Sequence, residues 1–273
     1  MTYDRDFIWQ CDYGERQPVL NVIGQLLDSQ NEYELGMCSF FVNNNPYQLE
    51  FFVVFGYETP KDSKIQVMKE KMLSVGARFR VDIIFDEMTK LSTKKRFNSF
   101  VVSTSDQIGF AVENTFQFAD RAYVSSKVPM GPLGAELPIF LSHSTIDKPF
   151  VEELIPYLSR HGLAVWYDKL NISYGESITS AIMNGIDDSG AVIFFITESF
   201  LSSNWCKEEM ESFLSRAAEG DKILPISVVF PNIEHSQLPR FIKNKKYLKL
   251  NNGTAPSIVA NELVPTFKDF FSL

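Results

Sequence analysis

Residues 202–210, SSNWCKEEM, bring a tryptophan, a cysteine and two adjacent glutamates together. If a helix begins near Asn204, residues four apart share a face and neighbouring residues lie about 100° apart. Glu209 then falls one turn beyond Trp205, whereas Glu208 points to solvent. A carboxylate beside an indole loses hydration, which can raise its pKa and strengthen its field. Glu209 is therefore the candidate for chemistry, and the alternative is an ordinary glutamate favoured by the helix dipole.

Cys206 falls on a different face of the same predicted helix. It belongs to an apolar stripe that must face a sheet, made of Cys206, Met210, Phe213, Leu214 and Ala217. We therefore interpret the thiol as inert packing and not as a nucleophile. The three cysteines of the chain are odd in number and widely spaced, which predicts neither disulfides nor a metal site. No His/Cys/Asp spacing fits zinc.

Two further segments carry polar residues directly after predicted strands. SHSTID contains His143 and Asp147, but there is no GxSxG motif for a hydrolase, and Asp147 is better explained as a helix cap. YDKLNISYGESIT has a single glycine, Gly175, so it lacks the glycine pattern of a phosphate-binding loop. Gly175 is expected to allow a tight turn before the next helix.

The elements that position these residues alternate between short strands and helices. Strands are predicted at 137–142, 163–168, 191–197, 222–230 and 247–250, and helices at 147–162, 177–187, 204–218 and 256–272. This alternation predicts a flavodoxin-like parallel sheet flanked by helices. In such a sheet the ligand crevice lies beyond the carboxyl ends of the strands. The loops that begin at Ser142, Asp168, Thr197 and Phe230 are therefore expected to form the site.

The first half of the chain has a different pattern. Helices are predicted at 17–29, 61–75 and 105–123, and strands at 37–42, 47–55, 79–85 and 97–103, with a hairpin turn at 43–46. The result is a small α/β domain with a mixed or antiparallel sheet and no catalytic signature. A segment rich in Pro, Gly and Ser follows it. We therefore predict a domain at 1–125, a linker at 126–136 and a second domain at 137–273.

Composition excludes several functional classes. The net charge of −8 argues against a nucleic-acid partner, which usually requires a basic surface. The N-terminus lacks a signal-peptide pattern, and the longest apolar run, 191–196, is too short to cross a bilayer. The expectation is a cytoplasmic protein without a membrane partner, a bound metal or a resident cofactor.

Residues 137–273 resemble a TIR (Toll/interleukin-1 receptor) domain. The resemblance rests on four blocks in the family's order, which are PIFLSHSTID, GLAVWYDKLNISYGESITSAI, AVIFFITESFLSSNWCKEEM and KILPISVVF. The third block is similar to the S-x-W-C-x-x-E pattern of enzymatic plant and bacterial TIR domains. Residues 1–125 resemble no family that we can name, and their place in the chain suggests a sensing or oligomerising role with an unknown ligand.

The resemblance implies an NAD⁺ glycohydrolase, with NAD⁺ as substrate. It implies that Glu209 is the catalytic residue and that Trp205 is an aromatic platform near the substrate. It also implies that Phe140, Ser142 and His143 line the nicotinamide-ribose side. Asp168 and Gly175 fall in the segment 168–176, which in the family contacts a neighbouring protomer and helps to form a composite site. Lys169 departs from the Asp-Glu pair of many bacterial members, which puts the contacts of this loop in doubt.

The implied reaction is cleavage of the nicotinamide–ribose bond, in which Glu209 stabilises an oxocarbenium-like transition state. Water attack would give ADP-ribose and intramolecular attack a cyclic isomer, and the sequence leaves both open. Activation by self-assembly and a role in antiviral defence or cell-death signalling follow from the same resemblance. The alternative is a non-enzymatic TIR adaptor that recruits other TIR proteins. A nucleoside-processing transferase is a weaker third possibility.

Overall fold

The structure, a computed structural model, describes residues 5–31, 34–45, 47–59, 61–118, 131–172, 175 and 177–273, with the backbone alone at 5, 169 and 170. The chain divides into two compact units, residues 1–129 with 159–162, and residues 130–158 with 163–273. Within the described part, no helix has the length and apolar character needed to span a bilayer.

The N-terminal unit is built on an antiparallel sheet. Its strands are β1 Arg5–Cys11, β2 Leu35–Asn45, β3 Gln48–Tyr57, β4 Arg78–Phe79 and β5 Asn98–Val102, in the order β4-β1-β3-β2-β5. Its helices are α1 Arg16–Ser29, α2 Asp62–Ser74, α3 Phe85–Thr93 and α4 Gln107–Thr115. Apolar side chains of α1, α2 and α4 pack with one face of the sheet into a single core. This architecture confirms the predicted antiparallel α/β domain.

The hairpin between β2 and β3 agrees with the sequence, since Asn45 pairs with Gln48 across it. One residue of the predicted 43–46 turn, position 46, lies outside the described residues. The helix predicted at 105–123 is shorter, since α4 ends at Thr115, and 119–123 lie outside the described residues. β1 was not predicted, although it lies inside the sheet between β3 and β4.

The strand predicted at 79–85 is wrong over most of its length. Only Phe79 lies in β4, and Phe85 already begins α3. The alternation does not bring every apolar residue into a core, because Ile83 is buried but Val81 is 81% exposed. The polar residue of the segment is buried instead, since the Arg80 guanidinium donates Nε and Nη2 to Asp82 at 2.8 Å each. This ion pair fixes an irregular segment that the pattern of alternation does not reveal.

The C-terminal unit is a parallel sheet flanked by helices. Its strands are β6 Ile139–Ser142, β7 Val165–Trp166, β8 Ala191–Ile196, β9 Leu224–Val229 and β10 Leu248–Lys249, in the order β10-β9-β8-β6-β7. Its helices are α5 Lys148–Ser159, α6 Asp168–Asn171, α7 Ile178–Asp187, α8 Glu198–Ser202, α9 Asn204–Glu219, α10 Arg240–Lys243 and α11 Pro256–Phe271. Short 3-10 turns lie at Thr145–Asp147 and His235–Gln237. The predicted parallel architecture is confirmed.

The central strand β8 explains why this sheet needs helices on both of its faces. All six of its residues are buried, and successive side chains point to opposite faces. Phe194 contacts Phe213 of α9, whereas the next residue, Phe195, contacts Phe150 of α5. A continuous apolar run therefore predicts a strand covered on both sides, as parallel sheets require.

Two boundaries in this unit differ from the predictions. β7 covers only Val165–Trp166 of the strand predicted at 163–168, and Asp168 begins the short helix α6. In α9 the predicted apolar stripe holds through Phe213, but Ala217 is exposed. Residues 217–219, the end of the helix, are all exposed, so the buried stripe does not continue into the last turn. The predicted linker 126–136 lies outside the described residues up to 130.

Candidate active site

Glu209 lies in the second turn of α9 and reaches the carboxyl end of β6. The Ser203 side chain caps this helix by accepting the backbone N–H of Cys206 at 3.3 Å. Glu209 is 7% exposed, and its Oε2 accepts a hydrogen bond from the Ser142 hydroxyl at 2.5 Å. Ser142 is the last residue of β6. The site therefore joins the start of a helix to the end of a strand, at the edge where ligands bind parallel sheets.

The surroundings of Glu209 favour its protonated form and raise its pKa. Burial is the main cause and raises the pKa of Glu209 from 4.5 to about 7. Hydrogen bonds from Ser142 and Trp205 act in the opposite direction, and the charge of Asp168 raises the pKa further. At neutral pH the carboxyl group is consequently divided between its neutral and anionic forms.

The two glutamates of SSNWCKEEM have different environments, as the helical phase predicts. Glu208 is exposed, whereas Glu209 is buried beside the indole of Trp205. Trp205 is itself 37% exposed and hydrogen-bonds to Glu209. An indole N–H is a donor only, so this bond favours the ionised carboxylate. The arrangement offers a ligand an aromatic surface directly beside a partly anionic group.

His143 follows Ser142 and is held by the backbone. Its Nδ1 lies 2.7 Å from the carbonyl oxygen of Leu141, and its ring contacts Tyr167 at a centroid distance of 5.4 Å. Burial lowers the pKa of His143. The ring is therefore neutral, and the Leu141 carbonyl selects the tautomer that carries its proton on Nδ1. Its Nε2 is buried without a hydrogen-bond partner among the described residues.

Cys206 lies beside the site but is buried on the core side of α9. Its side chain is 2% exposed, and its Sγ is 3.6 Å from the His143 carbonyl oxygen. Burial raises the pKa of Cys206 to about 11. The group is therefore a protonated thiol at neutral pH, without the thiolate character that a nucleophile needs.

Asp168 and Gly175 lie on the segment that follows β7. Asp168 accepts a hydrogen bond from Lys148 Nζ at 2.7 Å, which forms a half-buried ion pair. Gly175 is exposed and has a φ of +87°, a conformation that glycine adopts without strain. Residues 173, 174 and 176 of the predicted loop 168–176 lie outside the described residues.

Comparison with known proteins identifies this half of the chain. Residues 139–263 match the family model described as TIR domain. These residues are a TIR domain. The match covers the parallel sheet and the site around Glu209, and it does not include residues 1–129.

Curated relatives of the TIR domain carry enzymatic names. The "NAD(+) hydrolase TcpA" of Theionarchaea archaeon (strain DG-70-1) is 31% identical over 44% of this chain and 37% of its own length. The "2' cyclic ADP-D-ribose synthase BtTIR" of Bacteroides thetaiotaomicron is 32% identical over 45% of this chain and 43% of its own. The "NAD(+) hydrolase TcpC" of Escherichia coli O6:H1 is 31% identical over 40% of this chain and 37% of its own length. The chain thus spans about two fifths of the length of each of these relatives.

Phe140 and Ser142, which the resemblance predicts to line the nicotinamide-ribose side, are both buried. Phe140 is 1% exposed, stacks on Trp166 at 4.6 Å and contacts Phe213. Its side chain belongs to the hydrophobic core of the TIR domain and is not accessible at the surface. Ser142 is also 1% exposed, and its hydroxyl is directed at Glu209. The structure brings Ser142, Trp205 and Glu209 together, with His143 beside them and Asp168 acting on Glu209 through its charge.

Two polar contacts near the site were not predicted from the sequence. Lys148 balances the charge of Asp168 from the first turn of α5. Asp147 accepts hydrogen bonds from the hydroxyls of Ser144 at 2.5 Å and Thr197 at 2.9 Å, so it joins the ends of β6 and β8 in addition to capping its own turn. The available signal was position, since these residues all follow parallel strands. Among the described residues, no group of three or more His, Cys, Asp or Glu is arranged to hold a metal.

Proposed function

We propose that the protein cleaves the bond between nicotinamide and ribose in NAD⁺. The observation that carries this proposal is the buried carboxylate of Glu209 beside the half-exposed indole of Trp205, at the carboxyl edge of a TIR sheet. Relatives of this domain that are named NAD(+) hydrolase or 2' cyclic ADP-D-ribose synthase support it.

The chemistry requires a negative charge more than it requires a proton donor. The C1′–N bond breaks with its electron pair on the ring nitrogen, so nicotinamide leaves as a neutral molecule without protonation. Positive charge then develops on the ribose as an oxocarbenium ion. The Glu209 carboxylate opposes this charge, and its field is strong because the group is largely removed from water.

Two nucleophiles complete the reaction. Water attack at C1′ gives ADP-ribose and releases one proton, whereas attack by an atom of the same molecule gives a cyclic ADP-ribose, which is lighter than ADP-ribose by one water. The names of the relatives include both kinds of product. In this proposal the ring of Trp205 packs on the nicotinamide nucleoside and limits the access of water, and the exposure of the ring supports that role.

The finer parts of the proposal concern assembly. Residues 168–176 self-associate with a neighbouring copy and help to complete the site, and the TIR domain at 137–273 is joined by the linker 126–136 to a sensing or oligomerising domain at 1–125. The exposed Gly175 turn supports this role for the loop. In this view NAD⁺ consumption serves defence or cell-death signalling in the cytoplasm. Specific activity that rises with protein concentration is the expected signature, and concentration-independent activity would contradict assembly.

The test is an NAD⁺ assay on the purified full chain, with and without a crowding agent, followed by mass analysis of the products. We expect nicotinamide release together with ADP-ribose or its cyclic isomer, and loss of both products in Glu209→Gln. The matched control is Glu208→Gln, which removes the neighbouring exposed carboxylate. Absence of nicotinamide release in every condition, combined with specific binding to another TIR protein, would replace this proposal with an adaptor function.

A further inference from the structure

Ser142 has no surface with which to bind a substrate. It is the last residue of β6, it is 1% exposed, and its backbone lies in register with Phe194 of β8. Its hydroxyl donates to Oε2 of Glu209 at 2.5 Å. Because a hydroxyl has a single proton to donate, this bond uses the donor capacity of Ser142. The contact of the Ser142 side chain that leads to the proposed reaction is therefore the one with Glu209.

Donors from two different elements converge on the Glu209 carboxylate. Ser142 approaches from the end of the strand β6, and Trp205 approaches from the first turn of α9. A carboxylate held by a single hydrogen bond could rotate about the bond to its carbon and would lose its orientation when that hydrogen bond broke. Two donors from separate rigid elements restrict that rotation, and hydrogen bonds to a charged acceptor are the strong ones.

The other titratable groups around Glu209 do not supply a compensating positive charge. Asp168 opposes ionisation of Glu209, and its own partner is Lys148 on α5. Cys206, on the same helix, remains a neutral thiol, and His143 is neutral because it is buried. The hydrogen bonds of Ser142 and Trp205 are therefore the interactions that favour the anion.

We propose that Ser142 is a positioning residue, whose hydroxyl holds the Glu209 carboxylate in its anionic form and in one orientation without itself contacting NAD⁺. The inference rests on the proposed NAD⁺ cleavage. It assigns Ser142 a role different from the substrate contact that the family resemblance implies. Removal of the hydroxyl leaves the exposed surface unchanged and makes the anionic form of Glu209 less stable.

The experiment compares pH profiles of nicotinamide release for the wild-type chain, Ser142→Ala and the control Ser227→Ala. Ser227 is a buried serine on β9 that also lies in register with Phe194, on the opposite side of β8. We expect Ser142→Ala to move the acidic limb of the kcat profile about one pH unit to higher pH, because one charged hydrogen bond is lost. At neutral pH this shift lowers kcat about five-fold, while KM stays unchanged and activity recovers at alkaline pH.

An unshifted profile in Ser142→Ala, or a rise in KM with unchanged kcat, would overturn the proposal, since the first denies the coupling to Glu209 and the second indicates a substrate contact. A wild-type chain that releases no nicotinamide would instead contradict the proposed function. The coupling is then tested without NAD⁺, from the pH dependence of the stability gained by Glu209→Gln in the wild-type and Ser142→Ala backgrounds. We expect the gain to continue rising to higher pH and to reach a larger value when Ser142 is absent, because only the pKa of the folded state changes, and identical curves would refute the inference.

Discussion

Trp205 lies one helical turn before Glu209, yet the tryptophan is 37% exposed and the glutamate is 7% exposed. The hydrogen bond between them joins a side chain that a ligand can touch to one that is largely hidden from water. A ligand that packs on the indole therefore lies directly beside the carboxylate. In the proposed reaction this pair separates two tasks, with Trp205 as the binding surface and Glu209 as the source of negative charge.

Replacement of Glu209 by Gln should abolish most of the proposed activity. The amide keeps the size of the side chain and removes the charge that opposes the developing oxocarbenium ion. We expect kcat for nicotinamide release to fall by about 100-fold or more. Glu208→Gln, which changes the exposed neighbour, should keep wild-type kcat. Equal turnover in the two variants would remove Glu209 from the mechanism.

Substitution of Trp205 separates its ring from its N–H group. Trp205→Phe keeps an aromatic surface but loses the hydrogen bond to Glu209, so the acidic limb of the kcat profile should move to higher pH with little change in KM. Trp205→Ala loses the surface as well, and its KM for NAD⁺ should rise several-fold. If Trp205→Ala and Trp205→Phe have the same KM, the ring does not bind the substrate.

The raised pKa of Glu209 predicts that stability depends on pH. Folding moves the pKa of Glu209 from 4.5 to about 7, so across that interval the folded chain holds more protons than the unfolded chain. The contribution of Glu209 to the free energy of unfolding therefore falls as pH rises through this window. Relative to the wild type, Glu209→Gln should gain up to about 3 kcal/mol between the acid and alkaline limits. Denaturant unfolding at several pH values measures this gain, and a constant difference at all pH values would contradict the raised pKa.

Cys206 should be dispensable for chemistry despite its place in the site. Cys206→Ala should keep kcat within a few-fold and lose about 1 kcal/mol of stability, because a small buried side chain is removed. All three cysteines are buried, so an alkylating reagent should modify the chain only under unfolding conditions. Rapid alkylation of native protein with parallel loss of activity would indicate a reactive thiol.

A glycine of α7 gives a test of packing within the TIR domain. A Cβ atom at Gly185 would lie 2.2 Å from Cε2 of Trp166, which is a fixed ring and cannot yield. Gly185→Ala should therefore destabilise the chain by about 3 kcal/mol or more. The control is Gly109→Ala in α4, where an added Cβ meets no atom within 4 Å. Because alanine favours the helix over glycine, this change should raise the free energy of unfolding by about 1 kcal/mol. Thermal unfolding should shift in opposite directions for the two variants.

The elements of the TIR domain were predictable because its local patterns agree with its tertiary structure. The run AVIFFI is apolar throughout and forms the fully buried strand β8. The helical phase of SSNWCKEEM distinguishes Glu209 from Glu208 on sequence alone. These signals depend on periodicity and burial alone, and tertiary contacts reinforce them.

The strand predicted at 79–85 was wrong, and the roles of Phe140 and Ser142 could not be predicted, because side-chain contacts that periodicity does not encode decide them. The ion pair of Arg80 and Asp82 replaces the strand that FRVDIIF suggests. The roles of Phe140 and Ser142 depend on contacts with Phe213 and Glu209, more than 60 positions away in the chain. A family pattern marks such positions without revealing which partner each side chain faces.

The burial of Glu209 creates a conflict between the proposed activity, which needs the carboxylate anion, and the stability of the fold, which that buried anion lowers. Burial favours the protonated form of Glu209, whereas the proposed reaction needs the anion. A library randomised at position 209 and sorted by heat resistance alone should therefore enrich neutral side chains. Selection for NAD⁺ consumption would return the glutamate, so the two screens should converge on different residues at the same position.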